Sequence, residues 1–285
     1  PATWDQFLAA CDTLKSDDVA PIALGNSVKW PAHHYVSCLW QRMMGQDQLI
    51  ADFDPMGPGA YDDPDYVRGL EMFKALVDRG VFNRAPNGTT RENAAALFYT
   101  GKAAMYYTGT WDLNNFREGG EAPPEFAGNW DWFNFPAVAD GEGEQEALHG
   151  GADGYVISSK TAHPEAAIRF LQHLNSVESA QLFVERCKEL VLVEGSVTEE
   201  NADEYLLRYA EQVSAAPTIV PWADTLMERS VAETLMDGCQ ALIDGSITPE
   251  QVMANVRKRQ AEVKARLEKL GGSSMEVETP VNEAA

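Results

Sequence analysis

The chain has 285 residues and a net charge of −22, from 22 Lys and Arg against 44 Asp and Glu. A surface this acidic repels phosphate backbones and anionic lipid headgroups, which excludes nucleic-acid and peripheral membrane binding as first interpretations. Apolar residues make up 45% of the chain, which is typical of a globular protein, and the length predicts about two domains. None of the apolar runs approaches the ~18 residues that a membrane span needs.

The first half of the chain alternates predicted helices with short apolar runs. Apolar residues at helical spacing, bounded by glycines, predict helices near residues 4–14, 33–45, 62–80 and 93–100. Thr3 and Gln6 have the spacing of a capping box, which begins the first of these helices. Apolar runs predict strands at residues 20–25, 102–108, 130–135 and 155–157. Thr110 follows the second strand as a candidate N-cap, so that Trp111 begins a helix there.

The second half is mostly helical. Helices are predicted at residues 164–174, 177–187, 201–213, 224–243 and 248–270, the last with a capping box at Thr248 and Gln251. The polar, acidic end of the chain is typical of disorder. Strands that alternate with long helices predict an α/β architecture with helix-rich lobes.

Motifs for catalysis and metal binding are missing from the sequence. There is no glycine-rich nucleotide loop, nucleophile elbow, HExxH or EF-hand pattern. His33 and His34 are adjacent, and on a helix they point about 100° apart, so they are not expected to share a metal. The sequence therefore requires neither a metal nor a cofactor, and a bound ion stays open as an alternative.

Four cysteines are spread along the chain, at Cys11, Cys38, Cys187 and Cys239. Their separations do not fit a zinc site. They are typical of small buried apolar residues, and one disulfide stays open as an alternative for an exported protein.

Three tryptophans lie in loops beside predicted elements: Trp30 after the first strand, Trp111 after the second, and Trp222 before a long helix. Ligands of open α/β sheets bind at such strand ends. An indole can stack on the apolar C–H face of a pyranose, whose hydroxyls then need polar partners. This residue set predicts a carbohydrate site, to which Trp130 and Trp132 could also belong. The alternative is that these rings only pack at the edges of lobes.

Three ordered stretches of the chain resemble one known family. They are TWDQFLAAC with PIALG (residues 3–25), GKAAM with GTW (101–111), and GGADGYVI with PEAA and FL (150–171). They are similar to the TWDEFL…PIALG, GKAAM…GxW and GGxDGxxI…PEAAxxFL segments of family 1 extracellular solute-binding proteins. These are the sugar-capturing subunits of ABC importers, and the nearest branch is that of the glucose and mannose binders.

The resemblance implies a two-lobed, type II periplasmic-binding-protein fold, with mixed sheets flanked by helices and a hinged cleft. Residues 1–152 and 217–271 then build the second, C-terminal lobe, residues 153–216 belong to the first lobe, and residues 272–285 form a disordered tail. The family pattern has a further stretch before these segments, which forms most of the first lobe. We therefore expect an N-terminally truncated chain with an incomplete first lobe.

The resemblance also implies three principal ligand-binding residues. Trp111 falls on the GxW position, where the indole stacks on sugar. Asp153 falls at a crossover strand, where a carboxylate bonds sugar hydroxyls. Trp222 falls at the start of a late helix of the second lobe, which is another stacking position.

Three further residues are implied with less specific motifs. Trp30 and His34 lie in a segment that often reaches the cleft. Lys188 lies where a cleft lysine often precedes a GSIP-like segment, although residues 189–193 read ELVLV here.

The functional hypothesis is capture of a mono- or oligosaccharide between two lobes, without chemistry, and its delivery to the permease of an ABC importer. It implies a monomer in the periplasm or outside the cell, with a lipoprotein signal before Pro1 as membrane anchor and no nucleic-acid partner. Two alternatives stay open. A glycoside hydrolase or another sugar-acting enzyme would need two facing carboxylates. A binder of a non-sugar solute, such as a peptide, polyamine or phosphate ester, would need a differently charged cleft.

Overall fold

The computed structural model describes residues 1–16, 18–151 and 153–270. The helices are α1 (Trp4–Leu14), α2 (Trp30–Met43), α3 (Gln46–Phe53), α4 (Pro64–Asp78), α5 (Arg91–Tyr99), α6 (Pro164–Leu174), α7 (Val177–Cys187), α8 (Glu204–Ala215), α9 (Ala223–Leu226), α10 (Arg229–Ile243) and α11 (Pro249–Lys269). The strands are β1 (Ala20–Ala23), β2 (Ala103–Tyr106), β3 (Leu148–His149) and β4 (Ile219–Val220). Two short 3₁₀ helices cover Pro86–Gly88 and Thr110–Phe116. The predicted tail, residues 272–285, lies outside the described residues.

The strands form two small parallel pairs. β1 pairs with β2, with Ile22 opposite Met105, and β3 pairs with β4, with His149 opposite Val220. In each pair the two carboxyl ends lie side by side, because the strands are parallel. The loops that leave these ends carry the residues of the candidate site.

The main hydrophobic core is built by α1, α2, α4, α10 and α11. α2 is buried along nearly all of its length. Its Trp40 is fully buried and donates its Nε1–H to the carbonyl oxygen of Tyr66 at 3.0 Å, so the one polar atom of the indole is satisfied. α2 is therefore a rigid support for the side chains at its amino-terminal end.

The predicted capping boxes are confirmed. Thr3 accepts a hydrogen bond from the amide of Gln6, and Thr248 accepts one from the amide of Gln251, with the reciprocal glutamine bonds also present. Each box satisfies amide groups that have no partner within the first turn of the helix.

Two predicted strands are wrong. Residues 130–135 have no strand pairing, because Trp130 instead stacks on Tyr205 of α8 at 4.7 Å and Trp132 donates to Gln212. Alternating aromatic residues can thus face a helix as well as a sheet. Residues 155–157 are exposed and have no regular structure, because no described strand lies beside them to accept their backbone hydrogen bonds.

The long helix predicted at residues 224–243 is interrupted. Met227 is extended, and the carboxylate of Glu228 accepts hydrogen bonds from the amides of Ser230 and Val231. This cap begins a new helix, α10. The short helix α9 is therefore a separate element, and Trp222 is its N-cap residue.

The segment that follows β2 packs against α7 and α8. Arg117 contacts the carboxylate of Asp203 at 3.1 Å and donates to the carbonyl oxygen of Lys188 at 3.0 Å. The assignment of residues 1–152 and 153–216 to separate lobes stays a prediction.

All four cysteines are free: Cys11, Cys38 and Cys239 are buried and Cys187 is exposed. None of the described helices is both long enough and apolar enough to cross a membrane.

Candidate functional site

Four of the six predicted site residues lie together. Trp30, His34, Trp111 and Trp222 form a group that we call the aromatic cluster. They come from three distant parts of the chain: the start of α2 after β1, the 3₁₀ helix after β2, and the loop after β4. All three follow the carboxyl end of a parallel strand, which is where such sheets place ligands.

The rings of the aromatic cluster contact one another in the order Trp222, His34, Trp30 and Trp111. His34 stacks on Trp222, with centroids 3.8 Å apart and planes 4° apart. Trp30 lies 4.6 Å from His34 and meets Trp111 edge-on at 5.9 Å. Trp111 is 41% exposed. The cluster therefore contains one buried ring, that of His34, and has an open indole, that of Trp111, at one end.

Local contacts fix Trp111 and Trp30 of the cluster. A Cβ at Gly109 would lie 2.3 Å from a ring carbon of Trp111, so only glycine lets this indole fold over the chain before it. Asn26 is fully buried and accepts a hydrogen bond from the amide of Ala32 at 3.0 Å, which shapes the loop in front of Trp30. These local contacts give the cluster a defined shape without a ligand.

Arg91, the first residue of α5, supplies a cation beside the cluster. Its guanidinium carbon lies 5.0 Å from the ring centroid of Trp30 and 6.0 Å from that of Trp111. Its charge is paired with the buried carboxylate of Asp112 at 3.6 Å. Guanidinium groups near indole faces are attracted by the ring quadrupole and can still donate hydrogen bonds. Arg91 can thus donate a hydrogen bond to a hydroxyl group bound beside the cluster.

Arg91 was not predicted as a site residue, although the sequence contains one signal for it. A cation in the first turn opposes the helix dipole, so an arginine directly after the N-cap Thr90 is unfavourable for the helix alone. The contacts of Arg91 with two indoles and a buried carboxylate account for an arginine at this position.

A second group, of buried imidazoles and a carboxylate, lies behind the aromatic cluster. His33 is fully buried, its Nε2 is 3.2 Å from the Ser37 hydroxyl, and its Nδ1 is 3.9 Å from Oδ1 of Asp224. That last distance is too long for a hydrogen bond. Among the described residues neither Nδ1 nor Oδ1 has a hydrogen-bond partner. An unsatisfied buried polar atom costs about 1–3 kcal/mol, so this pair needs explanation.

The three histidines near Trp222 are neutral at pH 7. Burial lowers the pKa of His33 to about 4 against the attraction of Asp224, and it lowers that of His34 to about 2. His149, whose ring lies 5.1 Å from Trp222, has a pKa lowered to about 3 by burial and by the charge of Arg42. Neutral imidazoles can accept hydrogen bonds from sugar hydroxyls or bind a metal ion.

One atom each from His33, His34 and Asp224 could bind the same ion, since these atoms lie within 4.8 Å of one another. The two neighbouring imidazoles therefore approach more closely than their offset on the helix predicts. Asp224 and His149 were not identified from the sequence, because nothing in their spacing distinguishes them from the many other acidic and polar residues.

The other two predicted site residues lie elsewhere. Asp153 is exposed in a stretch without regular structure. Lys188 is the left-handed C-cap of α7, and its Nζ donates to the carbonyl oxygen of Asn201 at 3.2 Å. Within the described residues, neither side chain has a hydrogen bond or ion pair with the aromatic cluster. A ligand-binding role for these two residues stays a prediction.

Sequence comparison identifies relatives of the chain. The family described as bacterial extracellular solute-binding protein matches residues 1–181. An uncharacterized ABC transporter extracellular-binding protein of Pyrococcus horikoshii is 30% identical over 181 residues, which are 64% of this chain and 38% of that protein. The multiple sugar-binding protein of Streptococcus mutans is 23% identical over 205 residues, 71% of this chain and 47% of that protein.

Solved structures resemble the fold over nearly the whole chain. A chitin oligosaccharide binding protein has a TM-score of 0.82 at 27% identity, over 93% of this chain and 65% of that one. A bacterial solute receptor with a preference for β-D-galactopyranose has a TM-score of 0.76 at 21% identity, over 94% of this chain and 65% of that one. The fold is that of type II periplasmic binding proteins. The chain spans less than half the length of the two curated relatives and about two thirds of these structures.

Proposed function

Because this chain belongs to the family of bacterial extracellular solute-binding proteins, we propose that it binds a neutral mono- or oligosaccharide for an ABC importer. The sugar is captured without chemistry and passed to the membrane permease. The observation that carries this proposal is the aromatic cluster, which gathers three indoles from distant chain segments at the carboxyl ends of parallel strands.

The chemistry of the cluster suits a sugar. The open indole of Trp111 offers an apolar face to pyranose C–H groups. Arg91, Asp224 and the neutral imidazole of His34 offer donors and acceptors at its edge. The guanidinium of Arg91 is already paired with Asp112, so the site does not require a charged ligand. This balance favours a neutral sugar over a polyamine or a phosphate ester.

The ligands named for similar proteins point the same way. One structural relative is a chitin oligosaccharide binding protein, and others were determined with raffinose or maltotriose. A curated relative is a multiple sugar-binding protein. These saccharides form the first panel of probes.

The wider setting is also part of the proposal. The protein acts as a monomer in the periplasm or at the cell surface, with a lipid anchor. Residues 1–152 with 217–271 form one lobe and residues 153–216 contribute to the other. Closure of the lobes brings Asp153 and Lys188 to the sugar hydroxyls and stabilises the closed state, which the permease recognises.

Isothermal titration of the full chain with chitin oligosaccharides, raffinose, maltotriose and galactose tests the proposal. We expect saturable 1:1 binding of at least one sugar, accompanied by a change in tryptophan emission. Binding of none of them, together with a response to spermidine or an organic phosphate, would contradict it. Hydrolysis of an aryl glycoside would favour the enzyme alternative instead.

A further inference from the structure

The pair of His33 and Asp224 joins two segments that are far apart in the chain. His33 lies in the second turn of α2, and Asp224 is the second residue of α9, directly after the loop that carries Trp222. Nδ1 of His33 and Oδ1 of Asp224 lie 3.9 Å apart, which is too far for a hydrogen bond. Among the described residues neither atom has another hydrogen-bond partner. From this geometry we propose that His33, His34 and Asp224 bind a divalent transition-metal ion.

The distances suit an ion of this class. Zinc lies about 2.0–2.1 Å from histidine nitrogen and from carboxylate oxygen, so one ion reaches both atoms across a 3.9 Å gap. Two ligands of a tetrahedral zinc ion lie about 3.4 Å apart, whereas the three candidate atoms lie within 4.8 Å of one another. Metal binding therefore requires the three side chains to move together, by up to about 1.4 Å for the widest pair.

The surroundings of His33 are those of a metal ligand. A metal-bound imidazole donates its other ring N–H to an oxygen acceptor, which fixes its orientation. Nε2 of His33 faces the Ser37 hydroxyl at 3.2 Å, and Ser37 is itself held by the amide of Ala223 at 3.2 Å. With the Nε2–H donated to Ser37, the lone pair of Nδ1 points towards Asp224.

The donor set identifies the kind of ion. Two imidazoles and one carboxylate are typical of Zn²⁺ and similar borderline ions, with the remaining positions open to water or ligand. Ca²⁺ and Mg²⁺ need more oxygen ligands than this site offers. A groove lined by Ser37, His149 and Ala223 lies beside the candidate ligands, since Ser37 contacts His33 and Ala223 precedes Asp224.

The test uses the full chain, stripped with a chelator and titrated with ZnCl₂ in the absence of sugar. We expect one tight site per chain and a higher melting temperature with Zn²⁺, but no response to Mg²⁺. Asp224→Asn keeps the size of the side chain at a partly exposed position and should weaken Zn²⁺ binding at least 10-fold. His33→Gln should do the same if circular dichroism shows that it folds.

The matched control is the double variant His163→Gln with His173→Gln. His163 precedes α6 and His173 lies on it, and both side chains are exposed. This variant should bind Zn²⁺ like the parent protein. Loss of the site in the control, or its retention in Asp224→Asn, would overturn the proposal, as would a parent protein that does not bind Zn²⁺.

Spectroscopy provides a second measurement. Because His34 stacks on Trp222 at 3.8 Å, Ni²⁺ or Cu²⁺ at the site should quench tryptophan emission, and Trp222→Phe should reduce that quenching. Unchanged quenching in Asp224→Asn would assign the metal to another place. These readouts need no sugar, so they can fail while the proposed sugar binding stands.

Discussion

Trp111→Ala removes the open indole of the aromatic cluster and should weaken sugar binding without unfolding the protein. The side chain is 41% exposed, which is roughly 100 Å² for an indole side chain of ~250 Å². A pyranose that covers about half of this area, and loses as much apolar surface of its own, removes ~100 Å² from water. At ~25 cal/mol per Å² this is worth ~2.5 kcal/mol.

The expected change in affinity follows from that figure. A loss of ~2.5 kcal/mol corresponds to roughly a 60-fold higher Kd, and less complete coverage gives a smaller change, down to about 10-fold. The assay is isothermal titration with the tightest sugar of the panel, with thermal unfolding measured alongside. Because Trp111 is half open to solvent, the melting temperature should change little.

Trp132→Ala is the matched control. Trp132 also lies beside an arginine, Arg208 at 4.3 Å, but its other partners are Gln212 and Tyr205 rather than the aromatic cluster. Trp132→Ala should leave the Kd for the sugar within about threefold of that of the parent protein. If Trp111→Ala binds like the parent and Trp132→Ala does not, the sugar site lies against α8 and the reasoning from the cluster is wrong.

Three further predictions concern stability, each measured by urea unfolding. Arg42 is fully buried and donates to three main-chain carbonyl groups of the segment before β3, so Arg42→Met should cost about 3–5 kcal/mol; a loss below ~1 kcal/mol would contradict this. A Cβ at Gly143 would lie 1.7 Å from the carbonyl oxygen of Gln41, so Gly143→Ala should cost about 1–3 kcal/mol, whereas Gly88→Ala, which meets nothing within 4 Å, should cost less. Thr248→Ala removes the cap of α11 and should cost about 1 kcal/mol, most of which Thr248→Ser should restore.

Local signals predicted the helices well. The capping boxes at Thr3 and Thr248 and the helix at Val177–Cys187 are where the sequence places them. These features depend on residues within one or two turns of each other, so the order of residues alone contains the information.

Strands and long helices were harder to predict because they depend on distant partners. Residues 130–135 have the alternation of a strand, but the surface they meet is α8. The helix predicted at residues 224–243 is broken by the side chain of Glu228, a residue whose propensity favours helix interiors. In both places a tertiary or capping contact overrides the local pattern.

Only part of the candidate site was predicted, because the rest of it also depends on contacts between distant segments. Trp30, Trp111 and Trp222 could be selected because the sequence pattern predicts each of them in a loop beside a predicted element. Arg91 and Asp224 reach the same place only through the packing of α5 and α9, which no spacing in the sequence records.

The position of α11 has a consequence for biosynthesis. This last helix gives Val252, Met253, Val256 and Val263 to the core, and Arg257 donates to the carbonyl oxygen of Tyr61, 196 residues earlier in the chain. While the chain is still on the ribosome, the apolar faces of α2 and α4 have been made but their covering helix has not. These faces therefore remain uncovered in the nascent polypeptide until α11 has been made, and a holdase chaperone can bind them in that state.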